Sequence, residues 1–296
     1  MEIRNLITFL QIAEQGSFSK AATVLNYAQS TVSFQIKQLE SELGCPLFDR
    51  IGHTVTLTPR GRELMDYARQ VTHLTEEFVH SGGADGQVEG LLRIAAPDSV
   101  CEDMMNTNYT DFHRTWPGIS LKFTNTDTET MFRMLSRNEA DLIVTLDRHA
   151  YDSEYIIAKE EPVAMHFVTG VGSPFAAAGK LSIRDLLDKP FILTEKRIAY
   201  RRGLDEALAQ MSLEIDPILE LGRTDIIMNM LEAGVGIGFL PEFVTRRRVE
   251  QGRLCYLNVT DVEVDVWKQL IYHRNKWITK GLSALIEYIK ANEFGR

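Results

Sequence analysis

Two helical stripes of apolar residues, joined by a three-residue turn, constrain the N-terminal part of this chain more than any other feature. The first stripe occupies residues 21–25, and the second repeats at i, i+4, i+7 and i+11 over residues 32–43. Only Asn26, Tyr27 and Ala28 separate the two segments. Helices with so short a connection cannot lie end to end, so they pack at an angle. Together with an earlier stripe over residues 6–13, the pattern predicts a helix-turn-helix unit within the first 45 residues.

The period of the apolar residues changes immediately after this unit. Over residues 47–58 Val55 and Leu57 alternate with threonines, and Gly52 stands where a tight turn would fall, which predicts a β-hairpin, or wing. Thr58 and Pro59 then provide an N-cap followed by proline at the first helical position. A long helix to about Val79 is expected to follow, with a near-heptad stripe that needs a partner. The expected dimerisation residues of this stripe are Leu64, Val71, Leu74 and Phe78.

After a flexible linker at residues 81–87, SGGADGQ, short apolar runs alternate with helical stretches. This alternation predicts an α/β architecture with largely parallel sheets, large enough for two lobes. The expected strands are residues 91–96, 119–124, 140–146, 162–168, 191–194, 237–241 and 266–273.

Composition excludes several classes of protein. The net charge of −9 argues against a chain that coats nucleic acid indiscriminately, although residues 20–62 carry five basic side chains against three acidic ones. No apolar run is long enough to span a bilayer, and the charged N-terminal residues do not resemble a signal peptide. Three cysteines without a CxxC pair support neither a disulfide framework nor a zinc site, so we expect a cytoplasmic protein.

The third helical segment, residues 29–43, is the candidate recognition helix. Gln29, Ser33 and Lys37 are spaced i, i+4 and i+8, so they line one edge opposite the apolar stripe. Glutamine can pair bidentately with adenine in the major groove, and Lys37 is better placed for a phosphate. A solvated amphipathic face would give the same pattern, and the helix alone does not decide between the two interpretations.

A longer motif decides in favour of DNA. The stretch S-F-S-K-A-A-x-x-L-N-x-A-Q-S-T-V-S-F-Q-I-K-Q-L-E-x-x-L-G-x-x-L-F-D-R, followed by L-T-P-R-G, resembles the winged helix-turn-helix of the LysR family from residue 2 to about 61. The resemblance implies that Gln29, Ser30 and Ser33 approach bases, and that Arg50 and His53 of the wing lie near the minor groove or the backbone. The DNA-binding residues expected in this way are Gln29, Ser30, Thr31, Ser33, Phe34, Lys37, Arg50 and His53.

The chain departs from the family pattern at four of these positions or their neighbours. Many members have serine or threonine at Ala28, where it caps the recognition helix, and proline at Ser30. Many have arginine at His53. Phe34 on the outer face is unusual; it could contact a thymine methyl group or pack on the wing.

The long helix from Pro59 is similar to the family's linker helix, which pairs with its copy in a dimer. A two-fold axis would present two recognition helices to an interrupted palindromic operator, and the resemblance suggests that dimers pair into homotetramers. The alternative is that this helix packs on its own chain. On this basis we expect a DNA-binding domain at residues 1–58 and a linker helix and hinge at residues 59–87.

Residues 88–296 resemble the family's effector-binding domain, which is itself similar to periplasmic solute-binding proteins. The resemblance is carried by WPGISLKF, ADLIV and MLEAGVGIGFLPE. It implies a first lobe at about 88–160 and 268–296, a second lobe at about 161–267, and a ligand bound in the cleft between them.

Helix N-termini in this domain offer free N–H groups to an anion, so we expect an anionic small-molecule effector. By register with the family, Ser99 and Thr128 contact it from the first lobe and Thr224 from the second, although plain helix capping explains each one equally well. Arg201 could hold a carboxylate bidentately, or form an exposed salt bridge. The expected effector-binding residues are Ser99, Val100, Cys101, Thr128, Tyr200, Arg201 and Thr224.

Enzymatic function has no support in the sequence. There is no nucleophile elbow, no clustered acid–base set and no histidine spacing typical of a metal site, so neither a cofactor nor a metal is expected. The glycines at 234, 236 and 238 precede a strand, where a nucleotide fingerprint would follow one. Cys101 is interpreted as a buried, inert thiol in preference to a redox centre. A solute-binding protein with a helical extension is the remaining alternative to a ligand-responsive transcription factor.

Overall fold

The computed structural model of the chain describes residues 1–51, 54–80, 88–107 and 109–295. Contacts divide the chain into two compact units. One comprises Met1–Asp85 with Arg137–Glu139, and the other Gly86–Ser136 with Ala140–Arg296. Within the described part of the chain, no helix combines the length and apolar character required to cross a membrane.

Three short helices, a hairpin and a long helix form the first unit. The elements are α1 (Ile3–Gln15), α2 (Phe18–Val24), α3 (Gln29–Leu43), β1 (Phe48–Ile51), β2 (Thr54–Leu57) and α4 (Pro59–His80). Their apolar faces meet in one core, and the antiparallel β1–β2 pair packs beside it. The predicted helix-turn-helix, wing and long helix are therefore confirmed.

Local chemistry sets the ends of these helices. Gly16 and Gly44 adopt the left-handed backbone conformation that ends α1 and α3. The Thr58 hydroxyl accepts a hydrogen bond from the backbone N–H of Gly61 at 2.9 Å, as expected for the N-cap of α4. A Cβ at Gly61 would lie 2.2 Å from the carbonyl oxygen of Leu47, so glycine is required where α4 approaches the segment before the wing.

The second unit contains two groups of sheets. Its strands are β3 (Gly90–Ala96), β4 (Ile119–Asn125), β5 (Leu142–Asp147), β6 (Tyr155–Pro162), β7 (Met165–Gly170), β8 (Lys180–Leu181), β9 (Ile192–Thr194), β10 (Leu219–Leu221), β11 (Ile237–Pro241), β12 (Leu254–Val259) and β13 (Trp267–His273). A five-stranded sheet has the order β4-β3-β5-β13-β6 and defines lobe I. A four-stranded sheet, β11-β7-β12-β8, and the β10-β9 pair define lobe II.

Helices cover both groups of strands. They are α5 (Asp98–Thr107), α6 (Tyr109–Thr115), α7 (Thr128–Ser136) and α11 (Lys280–Asn292) in lobe I, and α8 (Ala199–Gln210), α9 (Thr224–Glu232) and α10 (Glu242–Glu250) in lobe II, with a 3₁₀ turn at Ile183–Asp185. The chain crosses between the lobes twice, after β6 and before β13. In each lobe, helices follow parallel strands, so several helix N-termini lie at the edge where those strands end.

The expectation of largely parallel sheets was wrong in part. β3 pairs in parallel with β4 and β5, but β13 is antiparallel to both β5 and β6, and β7 is antiparallel to β11 and β12. The strand expected at residues 162–168 is divided, since β6 ends at Pro162 and β7 begins at Met165. β6 is an edge strand whose first half, YIIA, is apolar and whose second half, KEEP, is charged and partly exposed, so its apolar run covers only half of the strand.

Candidate DNA-reading helix and effector cleft

The rotation of α3 about its own axis is fixed by its buried face. Val32, Ile36 and Leu39 have no exposed surface and pack with α1 and α2 in the first core. Gln35 lies on the same buried side, where its side-chain oxygen accepts a hydrogen bond of 2.7 Å from the Thr8 hydroxyl. Because an amide inside a core is stable only with such a partner, this bond allows one orientation of the helix.

The opposite side of α3 carries most of the residues predicted to bind DNA. Gln29, Ser30, Thr31, Phe34 and Lys37 are exposed, while Ser33 is half-buried. The centre of the outward side runs through Ser30, Phe34 and Lys37, spaced i, i+4 and i+7, and is rotated from the edge expected through Ser33. Phe34 keeps 67% of its surface exposed and is not among the residues of the first core. The tip of the wing lies outside the described residues, so a contact of Phe34 with it stays a prediction.

The start of α3 and the wing bear on three further predictions. Ala28 occupies the N-cap of α3 and makes no side-chain cap, as its chemistry requires. In the hairpin, Arg50 of β1 lies opposite Val55 of β2. His53 and the side chain of Arg50 lie outside the described residues, so their predicted contacts with DNA stay predictions.

The apolar stripe of α4 is divided between two environments. Leu64 is 8% exposed and belongs to the first core, and Val71 packs against the same core. Leu74 and Tyr67 are each 53% exposed, seven residues apart on the other side of the helix. The interpretation that α4 packs on its own chain therefore holds for Leu64, while Leu74 is the expected dimerisation residue that remains uncovered. The side chain of Phe78 lies outside the described residues.

Two of the helix N-termini expected to bind the effector meet across the lobes. Asp98 begins α5 in lobe I, and its carboxylate accepts a hydrogen bond of 2.9 Å from the backbone N–H of Thr224, which begins α9 in lobe II. The other oxygen of Asp98 accepts from the Asn125 side chain at 3.2 Å. Tyr200 is fully buried next to Thr224, and this burial raises the pKa of its phenol. The chain thus places its own carboxylate where the sequence predicted an anionic ligand.

The first turn of α5 holds the next three predicted effector residues. Ser99 is 2% exposed, and its hydroxyl oxygen has no hydrogen-bond partner among the described residues. Val100 is fully buried and packs in the core. Cys101 is mostly buried, and burial followed by the nearby charge of Asp98 raises the pKa of its thiol to about 12. A thiol that is protonated at neutral pH is a poor nucleophile, which favours the inert interpretation.

Thr128 is half-buried at the first position of α7. Helix capping there falls to Asp127, whose carboxylate accepts a hydrogen bond of 2.9 Å from the backbone N–H of Thr130. This hydrogen bond is the main reason why the pKa of Asp127 lies below its usual value. Capping therefore does not account for Thr128.

The guanidinium of Arg201 is buried and hydrogen-bonded to groups of its own lobe. The residue is 1% exposed; its guanidinium donates to Asp205 at 2.8 Å, to the Thr194 carbonyl oxygen at 2.9 Å and to Glu220 at 3.3 Å. These bonds tie α8 to β9 and β10. The arginine is neither the free anion-binding group nor the exposed salt bridge expected from the sequence, so the anionic effector gains no support from it.

A group of three carboxylates was not anticipated from the sequence. Oxygens of Asp98, Glu102 and Asp225 lie within 4.8 Å of one another, at the meeting point of α5 and α9. Burial, then repulsion from Asp225 and Asp98, raises the pKa of Glu102 to about 7, while Arg248 and Arg223 act in the opposite direction. The spacing would allow a shared cation, but acidic groups of this kind are common without one.

A cavity of about 420 Å³ lies beside this group, between α5 and α10. Its lining includes Glu102, Phe243, Arg247, Lys268 and Glu293. Lys268 is buried, with its ammonium 2.6 Å from the Glu293 carbonyl oxygen and 4.7 Å from the centre of the Phe243 ring. None of the predicted effector-binding residues is among those that line the cavity.

A winged helix-turn-helix followed by a two-lobed α/β domain defines a transcriptional regulator that combines DNA binding with ligand sensing. A family model for the bacterial regulatory helix-turn-helix protein of the lysR family matches residues 3–62, and one for the LysR substrate binding domain matches residues 85–293. The chain belongs to the LysR family. It is a DNA-binding transcriptional regulator with an effector-binding domain, and not an enzyme.

Curated relatives agree with this assignment, and solved structures share the fold, over nearly the whole chain. The uncharacterized HTH-type transcriptional regulator YwqM of Bacillus subtilis is 31% identical, with 97% of this chain and 98% of the relative covered. GltR of the same organism is 28% identical, with 98% and 96% covered. A full-length OxyR variant from Pseudomonas aeruginosa is similar in fold at a TM-score of 0.72, with 18% identity and 100% of both chains covered. Full-length CbnR, solved with its target DNA, has a TM-score of 0.68, 18% identity, and 98% and 99% covered.

The raised pKa of Glu102 makes the stability of the effector-binding domain depend on pH. Between the ordinary pKa of about 4.3 and about 7, the folded state holds the proton more tightly than the unfolded state, so the free energy of unfolding falls as pH rises. Glu102→Gln has no carboxyl group to ionise, so it should not show this loss of stability between pH 5 and pH 8. At pH 8 the variant should be more stable than the wild type by about 1 kcal/mol, a modest value because solvent screens the half-exposed carboxyl group.

Chemical denaturation of the full chain at pH 5 and pH 8 measures the effect. Glu129→Gln, which removes an exposed carboxylate from α7, is the matched control and should leave the pH dependence unchanged. An identical pH dependence in wild type and Glu102→Gln would contradict the assignment of this proton to Glu102.

Proposed function

We propose that this regulator binds an interrupted palindromic operator as a homodimer, through the outward sides of two α3 helices, and that a small molecule held between the lobes changes this binding. The observation that carries the proposal is the fixed orientation of α3. Its apolar stripe and the Thr8–Gln35 hydrogen bond face inward, which leaves a polar outward side for the major groove.

Different residues of α3 serve affinity and sequence preference. Gln29, in the first turn, can donate to and accept from the adenine edge, and the short hydroxyl groups of Ser30, Thr31 and Ser33 can contact bases or phosphates. Lys37 lies two turns further along and is suited to a phosphate contact. Arg50 and His53 of the wing are proposed to contact the minor groove or the backbone. The DNA-binding domain is assigned to residues 1–58.

The Gln29→Ala and Lys37→Ala variants should separate these roles. Gln29→Ala should lose about 1–3 kcal/mol of preference for adenine at one position in each half-site. Lys37→Ala should weaken binding to all sequences similarly, and should lower the slope of log K against log salt by about 1 for each half-site.

The measurement is a gel shift with salt titration, on sequences that the wild-type protein enriches from a random pool. Lys122→Ala removes an exposed positive charge from β4 and is the control for charge alone. If both α3 variants lost affinity equally on every sequence, the division of roles would be wrong.

Dimerisation is assigned to α4, within the linker segment at residues 59–87. Leu74 and Tyr67 form an exposed apolar strip on a helix whose other side is already buried in its own unit. Pairing with the same strip of a second copy would cover it and relate the two α3 helices by a two-fold axis. Association of such dimers into homotetramers is a further part of the proposal.

Leu74→Asp should convert the dimer to monomers at micromolar concentration, because the interface would then bury an unpaired charge. Leu74→Met keeps the apolar contact and is the matched control. Leu64 does not serve this purpose, since an aspartate in the first core would unfold the unit. Light scattering that found Leu74→Asp as an intact dimer would refute this interface.

The effector is proposed to bind between lobe I and lobe II, within residues 88–296, against Ser99 and Thr128. The support is chemical: within the described part of the chain the buried Ser99 hydroxyl has no hydrogen-bond partner, and Thr128 is not used as a cap. Ligand binding there would shift the lobes between two arrangements and so alter the bound operator. The anionic character of the effector stays a prediction, and we place the protein in the cytoplasm.

A thermal-shift screen of the full chain, with small organic acids and amines of matched size, tests the cleft. A ligand at one hundred times its Kd should stabilise the protein by about 2.7 kcal/mol. Ser99→Ala and Thr128→Val should reduce this shift, while Ser136→Ala at the exposed end of α7 should not. A ligand whose effect is untouched by both cleft variants binds elsewhere, which would count against this site.

A further inference from the structure

The outward side of α3 presents one large apolar group among polar neighbours. Phe34 is 67% exposed, whereas every other phenylalanine with a described side chain is buried or half-buried. The aromatic rings of the first core pack on one another: Phe9 and Phe18 lie 5.2 and 5.7 Å from Phe48, measured between ring centres. Among the described residues of its unit, Phe34 therefore lies outside the packed core.

The position of Phe34 on the helix is set by its neighbours. The buried residues of α3 share one side of the helix, where Gln35 is held by the hydrogen bond to Thr8, and Phe34 lies on the opposite side. Phe34 lies one turn beyond Ser30 and one turn before Lys37, both of which are exposed. A side chain in the second turn of a recognition helix is within reach of base edges when the first turn enters the major groove.

The chemistry of the groove restricts what a phenyl ring can contact. Purine and cytosine edges present nitrogen and oxygen atoms that must keep hydrogen bonds, and a ring that displaces their water offers none in return. The C5-methyl group of thymine is the apolar group that the natural base pairs present in the major groove. Contact between this methyl group and the ring removes apolar surface from water on both partners.

We propose that Phe34 selects thymine at one position in each half-site of the operator by packing its ring against the C5-methyl group. This inference rests on the proposed insertion of α3 into the major groove. It assigns to Phe34 a preference that does not depend on any hydrogen bond, and it makes the aromatic ring the specificity determinant at the centre of the α3 face.

Deoxyuridine replaces thymine without its methyl group and leaves every hydrogen bond of the base pair unchanged, so it tests the contact directly. The full-length protein is first used to enrich its preferred sequence from a random duplex pool. Each thymine of the enriched half-site is then replaced singly by deoxyuridine, in both half-sites together. The wild-type protein is compared with Phe34→Ser and Phe34→Leu by gel shift at one fixed salt concentration.

One symmetric pair of thymines should respond. Loss of each buried methyl group is expected to weaken wild-type binding by about fourfold, or about fifteenfold for the pair. Phe34→Ser should bind the thymine and deoxyuridine duplexes equally well, whereas Phe34→Leu should retain part of the difference. Since Phe34 is exposed, both variants should keep the thermal stability of the wild type.

Three results would overturn the proposal. The first is an enriched half-site in which no thymine methyl group affects wild-type binding. The second is a Phe34→Ser variant that responds to deoxyuridine as the wild type does. The third is a Phe34→Ser variant whose DNA-free assembly changes in mass while its response to deoxyuridine is unchanged, which would assign the ring to contact with a second copy of the chain. Failure to enrich any sequence would instead refute the proposed insertion of α3 itself.

Discussion

The orientation of α3 is the constraint on which the proposed mode of DNA binding depends. Three residues with no exposed surface draw one side of the helix into the core, and the hydrogen bond between Thr8 and Gln35 gives that side a polar anchor. An apolar stripe alone tolerates some rotation about the helix axis, because hydrophobic contact is non-directional. A directional bond inside the core does not, and so it determines which side chains face outward.

In the effector-binding domain, polar groups at the helix N-termini are hydrogen-bonded largely by side chains of the domain itself. Asp98 of lobe I accepts from the N-terminus of α9 in lobe II, Asp127 caps α7, and Arg201 joins α8 to two strands. Most of the N–H groups that were expected to bind an anion are therefore already hydrogen-bonded to groups of the domain itself. In the described part of the domain, the groups not used in this way include the buried Ser99 hydroxyl, the Thr128 hydroxyl and, near Asp98, the carboxylates of Glu102 and Asp225.

Local patterns predicted the fold well, and tertiary pairings limited the prediction of the sites. The helical stripe over residues 32–43, the wing and the Thr58 cap depend on neighbours a few residues away, and all three are present. The edge strand β6 is apolar only in its first half, and its pairing with β13 about 110 residues later could not be inferred from local patterns. The burial of Arg201 and the approach of Glu102 to Asp225 likewise depend on contacts between distant segments.

The hydrogen bond between Asp98 and Thr224 has a consequence for how sensitive such a sensor is. A ligand that moves the lobes apart, or that takes the place of the Asp98 carboxylate, must compete with a group tethered permanently at the site. The concentration of effector needed for half-maximal response then reflects the strength of this internal competitor as well as the ligand's own contacts. A substitution at Asp98 should therefore shift the response threshold of the regulator.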